Sequence, residues 1–138
     1  MSKKLKITFE RGGVVYADLL SEKAPKTVEM IVNTLPRREK VYHAKYAGCA
    51  IFIDTGITEI EKENTIQDKK PGRISLTLGK PTFTGKCIHL WYNDYILSVK
   101  DENYFAEVDK ACLPVLESVG FRVFHEGPEV ATFEVIDA

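Results

Sequence analysis

The chain has 138 residues, of which 44% are hydrophobic and 28% charged, and its formal net charge is −1. This length fits a single domain over residues 1–138 with one sizeable core, and this composition excludes an intrinsically disordered chain. The near-zero charge excludes binding driven by electrostatic attraction to nucleic acid or to an anionic membrane, so we expect neither as a partner.

Segments that direct a protein to a membrane or out of the cell are absent from the sequence. No apolar run approaches the roughly 20 residues that a membrane-spanning helix needs, and no apolar segment follows the lysine-rich start as in a signal peptide. Cys49, Cys87 and Cys112 are few and widely spaced, which is typical of reduced thiols rather than of a disulfide scaffold. We therefore expect a cytoplasmic protein.

The first elements in the chain are a strand pair and a helix. Leu5 to Phe9 alternates apolar and polar side chains, Gly12-Gly13 suits a hairpin turn, and Val14 to Leu20 returns as a second strand. Between Pro25 and Pro36 the period becomes helical, with a proline suited to the first turn and another that ends the helix. The apolar residues on one face of this helix are Val28, Ile31, Val32 and Leu35.

The middle of the chain predicts short strands separated by connectors. Val41 to Tyr46 and Ala50 to Ile53 have strand character, and Cys87 to Tyr92 is apolar enough for a central strand. Asn93-Asp94 then predicts a turn. The other predicted segments are a charged connector at 37–40, a loop over most of 56–70, a strand at 72–78, a turn at 79–85, and strands at 95–99 and 104–108.

The end of the chain predicts a second helix followed by strands. The apolar face of this helix has helical spacing, Gly120 is its predicted end, and Pro114 requires either a start near that proline or an irregular first turn. Phe121 to Phe124 and Val130 to Ile136 then predict strands. About eight strands and two helices favour a mainly β fold, a closed or nearly closed barrel.

Several segments resemble the cyclophilin superfamily. Leu20 to Glu29, with Pro25-Lys26-Thr27 followed two residues later by glutamate, is similar to the cyclophilin pattern ELF-x-D-x-x-PKT-x-ENF. This resemblance implies a barrel of eight antiparallel strands capped by two helices. Further segments resemble an uncharacterised bacterial and archaeal branch with this fold, namely 43–48, 63–65, 71–73, 103–108 and 126–127.

One segment departs from the pattern of proline isomerases. Cyclophilins carry a stretch similar to FHR-x-IPGFMxQGGD, whose arginine donates to the proline amide, whereas Tyr42 to Asp54 contains no arginine. Lys45 offers a positive charge there but not the planar fork of a guanidinium. The resemblance therefore favours a binding barrel over a divergent peptidyl-prolyl isomerase, which is the enzymatic alternative.

Two aromatic and polar segments are candidates for a ligand-binding groove. His43 offers a hydrogen bond, Lys45 a positive charge for an anion, and Tyr46 and Trp91 apolar walls. The alternatives are that these aromatic residues only cover the barrel, and that a core tryptophan precedes an ordinary turn. The full predicted set is Tyr42, His43, Lys45, Tyr46, Trp91, Asn93 and Asp94.

Other candidate sites are weaker. Cys87 and His89 lie two residues apart, so on a strand both point the same way, but no pair has zinc-site spacing and a buried structural role explains them better. Cys49 is an alternative nucleophile beside His43, although a small buried hydrophobe is favoured. The acidic run 59–63 is typical of a solvated loop rather than a ligand site. We predict neither a metal nor a cofactor.

The resulting hypothesis is a cyclophilin-like barrel that binds a small polar metabolite or a short peptide in a surface groove. A non-catalytic subunit of a metabolic enzyme assembly is a second alternative, since similar barrels occur in assemblies that metabolise urea and oxoproline. Self-association or a partner protein is compatible with either hypothesis. Fold analogy alone assigns no ligand and no reaction.

Overall fold

The computed structural model describes residues 3–79 and 85–137. Within these ranges the helices are α1 (Pro25–Val32) and α2 (Leu113–Glu126), and a single 3₁₀ turn at Lys110–Cys112 precedes α2. The strands are β1 (Lys3–Phe9), β2 (Val14–Leu19), β3 (Arg37–His43), β4 (Gly48–Asp54), β5 (Thr65–Ile66), β6 (Arg73–Thr77), β7 (Cys87–Ile96), β8 (Glu102–Val108) and β9 (Glu129–Asp137).

The strands form a closed antiparallel barrel. Hydrogen-bonded neighbours follow the order β2-β1-β9-β3-β4-β7-β6-β8, and β8 pairs back onto β2 with Ala17 opposite Val108. The two-residue strand β5 adds to β8 outside this closed set. The predicted mainly β barrel with two helices is therefore confirmed.

The main core fills the barrel interior because alternate residues of each strand point inward. Ile51 and Ile53 of β4 and Leu90 of β7 are buried there, and Ile31 of α1 and Leu116 of α2 join the same cluster. Burying one large apolar side chain is worth about 1.5–3 kcal/mol, so these contacts bind the helices to the barrel. The helical face predicted for α1 is therefore the face that packs on the strands.

A second, smaller cluster lies on the outer face of β4 and β7. In β7 the residues that alternate with Leu90 point outward, and Trp91 is fully buried there. Small side chains leave room for its indole ring, since Ala50 is its Cα partner across the sheet. The buried members of this cluster are Ala44, Ala47, Ala50, Phe52, Cys87 and Trp91.

Three predictions about local structure are wrong. Residues 37–40 belong to β3, where Arg37 pairs with Phe133 of β9, so this charged segment is not a connector. Strand β7 continues through Asn93 and Asp94 to Ile96, and a register shift opposite Gly48 accommodates the segment predicted to turn. A barrel strand can carry charged side chains on its outer face, which the sequence pattern alone does not distinguish from a connector.

The third error concerns α2, which includes the predicted strand Phe121 to Phe124. Gly120 does not end this helix. It lies against the ring of Tyr92, and the helix ends at Gly127, whose φ of 92° favours glycine. The start near Pro114 is correct, because this proline occupies the first turn. The predicted turn at 79–85 falls largely on 80–84, outside the described residues.

Candidate functional site

A buried polar cluster lies on the outer face of β6, β7 and β8. Ser75 of β6 is the Cα partner of His89 of β7. On the other side of β6, Glu102 of β8 is the Cα partner of Thr77, which lies two residues after Ser75. Because side chains alternate along each strand, Ser75, His89 and Trp91 project from the same face. The side chains of His89 and Glu102 are almost completely buried, with relative exposures of 3% and 4%.

Hydrogen bonds connect the members of this cluster, and the donors all lead to the carboxylate of Glu102. Trp91 Nε1 donates to Ser75 Oγ at 3.0 Å, and Ser75 Oγ donates to Glu102 Oε1 at 2.7 Å. His89 Nδ1 lies 3.0 Å and 3.1 Å from the two oxygens of the same carboxylate. The Trp91 indole and the Ser75 hydroxyl thus fix the orientation of the carboxylate that faces His89.

The charge of Glu102 determines the proton position on His89. Burial opposes ionisation of this carboxyl, but its hydrogen-bond and charge interactions with His89, its hydrogen bond with Ser75 and the charge of Lys69 outweigh burial and lower its pKa. An ionised carboxylate only accepts hydrogen bonds, so His89 Nδ1 carries the proton and donates it. In the neutral ring, Nε2 then presents its lone pair.

Nε2 of His89 is buried and has no hydrogen-bond partner among the described residues. The ring packs edge-on against Phe52 and Trp91, with centroids 6.1 Å and 5.1 Å away. Buried polar atoms in folded proteins nearly always have a partner, so an unpartnered one calls for an explanation. A bound molecule that supplies the missing hydrogen bond is one such explanation.

Lys69 lies over the ring of Trp91 and is itself buried. Its Nζ donates to the backbone carbonyls of Ser98 and Lys100 and lies 5.7 Å from the centroid of the Trp91 ring. Burial lowers the pKa of Lys69, against the opposing influence of Glu102 and Asp101. This ammonium group therefore ties the segment after β7 to the polar cluster.

A cavity of about 700 Å³ opens beside His89 and Glu102. Its mouth is apolar, because Tyr46, Leu97 and Val99 are large hydrophobic residues with exposures of 66%, 54% and 74%. The cavity thus combines a buried polar end with an exposed apolar end. Its lining residues are Tyr46, Ala47, Thr77, Leu78, Gly79, Cys87, His89, Leu97, Ser98, Val99, Lys100, Asp101 and Glu102.

Of the predicted site residues, Tyr46 lines this cavity and Trp91 contacts its polar end through Ser75. Trp91 is fully buried and does not line the cavity, so it supports the polar end without contacting a ligand there. The expected common direction of Cys87 and His89 is also observed, since both side chains lie on the outer face of β7 and line the cavity.

His43 occupies a different environment, against α2. Its Nε2 lies 2.5 Å from the hydroxyl of Tyr92, and its ring packs edge-on against Phe124 with centroids 4.8 Å apart. Burial lowers the pKa of His43, and the positive charge of Lys45 lowers it further. Burial also raises the pKa of Tyr92, as does its hydrogen bond with Cys49. Lys45 Nζ lies 5.9 Å from the centroid of the Phe124 ring.

The remaining predicted residues lie away from the cavity. The ring of Tyr42 packs 5.7 Å from that of Phe52, centroid to centroid. Asn93 donates through Nδ2 to Glu117 of α2 at 2.8 Å, and Asp94 is exposed on β7. The structure thus brings Tyr46 and Trp91 together around one site and distributes the other five elsewhere.

Three members of the site, Ser75, Lys69 and Glu102, were not predicted from the sequence. Each has a common residue type at an unremarkable position in the sequence, and only strand pairing brings them to His89. The alternation Cys87, His89, Trp91 was the detectable signal, because a period of two predicts one shared face.

A second cavity, of about 730 Å³, lies between α1 and residues 58–61. Two of its charged groups already have partners, since Lys26 pairs with Glu61 at 2.5 Å, and Glu63 nearby accepts a hydrogen bond from the Thr27 backbone N–H at 2.7 Å. Among the described residues, the buried side-chain polar atoms without a partner are His43 Nδ1 and His89 Nε2, and neither residue lines this cavity. The cavity beside His89 is therefore the stronger candidate site.

Residues 3–79 and 85–137 contain no cluster of three or more histidine, cysteine, aspartate or glutamate side chains that could hold a metal ion. Neither helix in these ranges is long and apolar enough to cross a membrane.

Solved structures resemble this barrel at low sequence identity. McbB in complex with tryptophan has a TM-score of 0.77 and 16% identity over 94% of this chain and 44% of McbB, so this chain spans less than half of McbB. A hypothetical protein from Archaeoglobus fulgidus has a TM-score of 0.67 and 19% identity over 96% of this chain and 94% of that one.

A cyclophilin-type peptidyl-prolyl cis-trans isomerase from Cryptosporidium parvum, solved in the presence of the dipeptide Ala-Pro, is also similar. Its TM-score is 0.55 and its identity 13%, over 98% of both chains. At these identities the likeness establishes the cyclophilin-like fold alone. No curated protein matches this chain in sequence. The family model described as protein of unknown function DUF3830 matches residues 7–94, which include β7 up to Asp94. The chain therefore belongs to the DUF3830 family.

Proposed function

We propose that this barrel binds a small polar molecule or a short peptide in the cavity beside Tyr46, with Nε2 of His89 as the hydrogen-bonding anchor. The observation that carries this proposal is the buried, unpartnered Nε2 in the side chain that lines the cavity. A buried polar atom without a partner costs about 1–3 kcal/mol, and a ligand that pairs with it removes that cost.

The shape and lining of the cavity agree with this proposal. Its volume of about 700 Å³ lies within the range of about 300–1,000 Å³ that is usual for small-molecule sites. The buried end contains His89 and Glu102, whereas the mouth is formed by Leu97 and Val99. The ligand class that fits is a molecule with an apolar body and one polar group at its inner end.

The sequence-based prediction of a wider groove is retained in part. Tyr46 keeps its predicted role as an apolar wall, and Trp91 acts through Ser75. The binding roles expected for the remaining residues stay predictions, namely those of Tyr42, His43, Lys45, Asn93 and Asp94. We further propose a cytoplasmic location, supported by the three widely spaced cysteines.

Binding is tested by recording backbone amide chemical shifts in NMR spectra while small molecules are added. L-tryptophan and the dipeptide Ala-Pro are the first probes, because one similar structure is a complex with tryptophan and another was solved in the presence of Ala-Pro. Small amines, carboxylic acids and nucleosides follow. We expect at least one probe to shift the resonances of Thr77, His89 and Leu97 in a saturable manner.

The matched variants are His89→Phe, which keeps a ring but removes the anchor, and Tyr95→Ala, which alters an exposed residue of the same strand outside the cavity. Loss of a hydrogen bond to a buried partner predicts roughly tenfold weaker binding in His89→Phe and unchanged binding in Tyr95→Ala. The proposal fails if no probe shifts the cavity resonances, or if both variants bind equally well.

Proline isomerisation is the second candidate, favoured by the similarity to a cyclophilin-type isomerase over 98% of both chains. Exchange NMR on Ala-Pro-containing peptides measures it, since the uncatalysed step takes tens of seconds or longer. We expect no acceleration, because Tyr42 to Asp54 contains no arginine to polarise the proline amide. Acceleration that is lost in His89→Phe or Lys45→Ala would assign the barrel to divergent isomerases instead.

A further inference from the structure

The dyad of His89 and Glu102 has the hydrogen-bond pattern that a proton acceptor requires. The carboxylate accepts from Nδ1, which leaves the lone pair of the neutral ring on Nε2. Buried polar atoms in folded proteins nearly always have a partner, but here the other ring nitrogen is buried without one among the described residues. The unused nitrogen belongs to the side chain that lines the cavity.

We propose that His89 is a general base that removes a proton from a molecule bound in this cavity, with Glu102 as its positioning residue. The inference rests on the proposed function, because the proton donor must occupy the same cavity. The substrate class is a molecule with an apolar body and a weakly acidic N–H, O–H or C–H group at its inner end.

The proton-transfer step balances within the dyad and the substrate. The X–H bond of the substrate breaks, its electron pair stays on X, and the proton forms a new N–H bond at Nε2 of His89. The resulting imidazolium donates through Nδ1 to the Glu102 carboxylate, whose negative charge stabilises it. The proton then returns to the product or to water, which regenerates the neutral base.

The surrounding residues limit the dyad to one geometry. Ser75 and Trp91 hold the carboxylate through hydrogen bonds of 2.7 Å and 3.0 Å, and Phe52 packs against the imidazole ring. Precise positioning of this kind is what a catalytic base needs. The charged or titratable groups near the dyad, on its own and on neighbouring segments, are Tyr46, Lys69, Cys87, Lys100 and Asp101.

The first test needs no ligand. Long-range ¹H–¹⁵N correlation spectra report which ring nitrogen of His89 carries the proton in the free protein. We expect a neutral ring protonated at Nδ1, and a mixture of tautomers in Glu102→Gln, since an amide can donate as well as accept. A His89 ring protonated at Nε2 in the natural protein would overturn the proposal, whatever the cavity binds.

The second test uses 5-nitrobenzisoxazole, an apolar bicyclic molecule with one acidic C–H. A base removes this proton, its electron pair forms a nitrile as the N–O bond breaks, and the coloured product is 2-cyano-4-nitrophenolate. We expect saturable catalysis that exceeds the rate with free imidazole at equal concentration. General-base catalysis typically contributes about 10²–10⁴-fold, so His89→Phe should lose at least about tenfold in kcat.

Glu102→Gln should lower kcat more than KM, because it changes the tautomer of His89 and keeps the side-chain volume at this position of the cavity lining. Tyr95→Ala, which alters an exposed residue outside the cavity, should keep the natural rate. These experiments distinguish failure of the general-base proposal from failure of the binding proposal. If the probe shifts the cavity resonances but reacts no faster than with imidazole, the general base is wrong and the binding site stands. If it does not shift them, this ligand class is wrong.

Discussion

The two histidines with an unpartnered ring nitrogen, His89 and His43, lie on opposite faces of the same sheet and differ in their partners. His89 faces a carboxylate at 3.0 Å on the outer face, whereas His43 faces the hydroxyl of Tyr92 at 2.5 Å on the side covered by α2. Each ring also packs edge-on against aromatic neighbours. Both histidine rings therefore have apolar neighbours, but the polar partner of His89 is a charged carboxylate and that of His43 is a neutral hydroxyl.

This difference separates a proton acceptor from a structural histidine. Glu102 fixes the proton on Nδ1 of His89 and would stabilise an imidazolium, whereas a phenol hydroxyl both donates and accepts and fixes neither tautomer. Lys45 adds a positive charge that opposes protonation of His43. The charge of the partner therefore distinguishes the chemistry of the two sites more than burial does.

The largest expected effect comes from removing the indole that supports the outer site. Trp91→Ala deletes a fully buried ring, which typically costs about 3–5 kcal/mol of the free energy of unfolding. Urea unfolding measures it. Tyr95→Ala on the same strand is the control, because that side chain is 64% exposed and its removal should cost less than about 0.5 kcal/mol. Equal costs would mean that the outer cluster is not packed as described.

Removing the carboxylate is the next largest change. Glu102→Ala leaves the buried donors of His89 and Ser75 without their shared acceptor, which typically costs about 1–3 kcal/mol of the free energy of unfolding. Urea unfolding again measures the loss. Glu102→Gln keeps the side-chain volume and should lose less. If Glu102→Ala were as stable as the natural protein, the dyad would not be a buried, hydrogen-bonded pair.

The architecture could be predicted because it depends on local periodicity. Alternation identified β1 and β2, and spacings of three and four identified the face of α1 that contains Ile31. The end of α2 was missed because Phe121 to Phe124 has strand propensity, whereas packing of Val119 and Val123 on the barrel keeps this segment helical. Tertiary contacts there override propensity.

The candidate site could be predicted only in part, because it depends on pairing between distant strands. A period of two places Cys87, His89 and Trp91 on one face from sequence alone. Glu102 lies 13 positions from His89 and reaches it through the β6–β8 and β6–β7 pairings. The register of those pairings is not encoded in any local pattern, so the partner of His89 could not be identified.

A smaller effect on stability is expected from filling the space beside Tyr92, the partner of His43. Gly120→Ala places a methyl group 2.3 Å from Cγ of Tyr92, and overpacking of this kind costs about 1–3 kcal/mol. Replacing glycine in a helix gains about 1 kcal/mol, so the net loss of unfolding free energy should be at most about 2 kcal/mol. Urea unfolding measures this loss.

The same variant separates the two histidine sites. The shifted Tyr92 ring should change the NMR resonances of His43 and leave those of His89 unchanged, because Gly120 contacts only the inner side of β7. Ser118→Ala is the control, because this residue is exposed on α2 two positions before Gly120. It should perturb neither histidine. Equal changes at both histidines would contradict two independent environments.

The smallest expected effect is the pH dependence that His43 contributes. Burial and the charge of Lys45 lower its pKa in the folded protein below the ordinary value of 6.5. The unfolded chain therefore binds a proton at this position more readily than the folded protein does. The free energy of unfolding should fall as the pH drops below about 6.5, and His43 should contribute no slope well above that pH.

Urea unfolding at about pH 7.5 and about pH 5.5 measures this slope. His43→Gln should lose less stability between the two values than the natural protein, because it has no proton to bind there. Glu102 also has a lowered pKa, but its contribution is lost only as the pH falls below the ordinary carboxyl value of 4.5. An unchanged slope in His43→Gln would show that the phenol partner, and not burial, sets the charge of this ring.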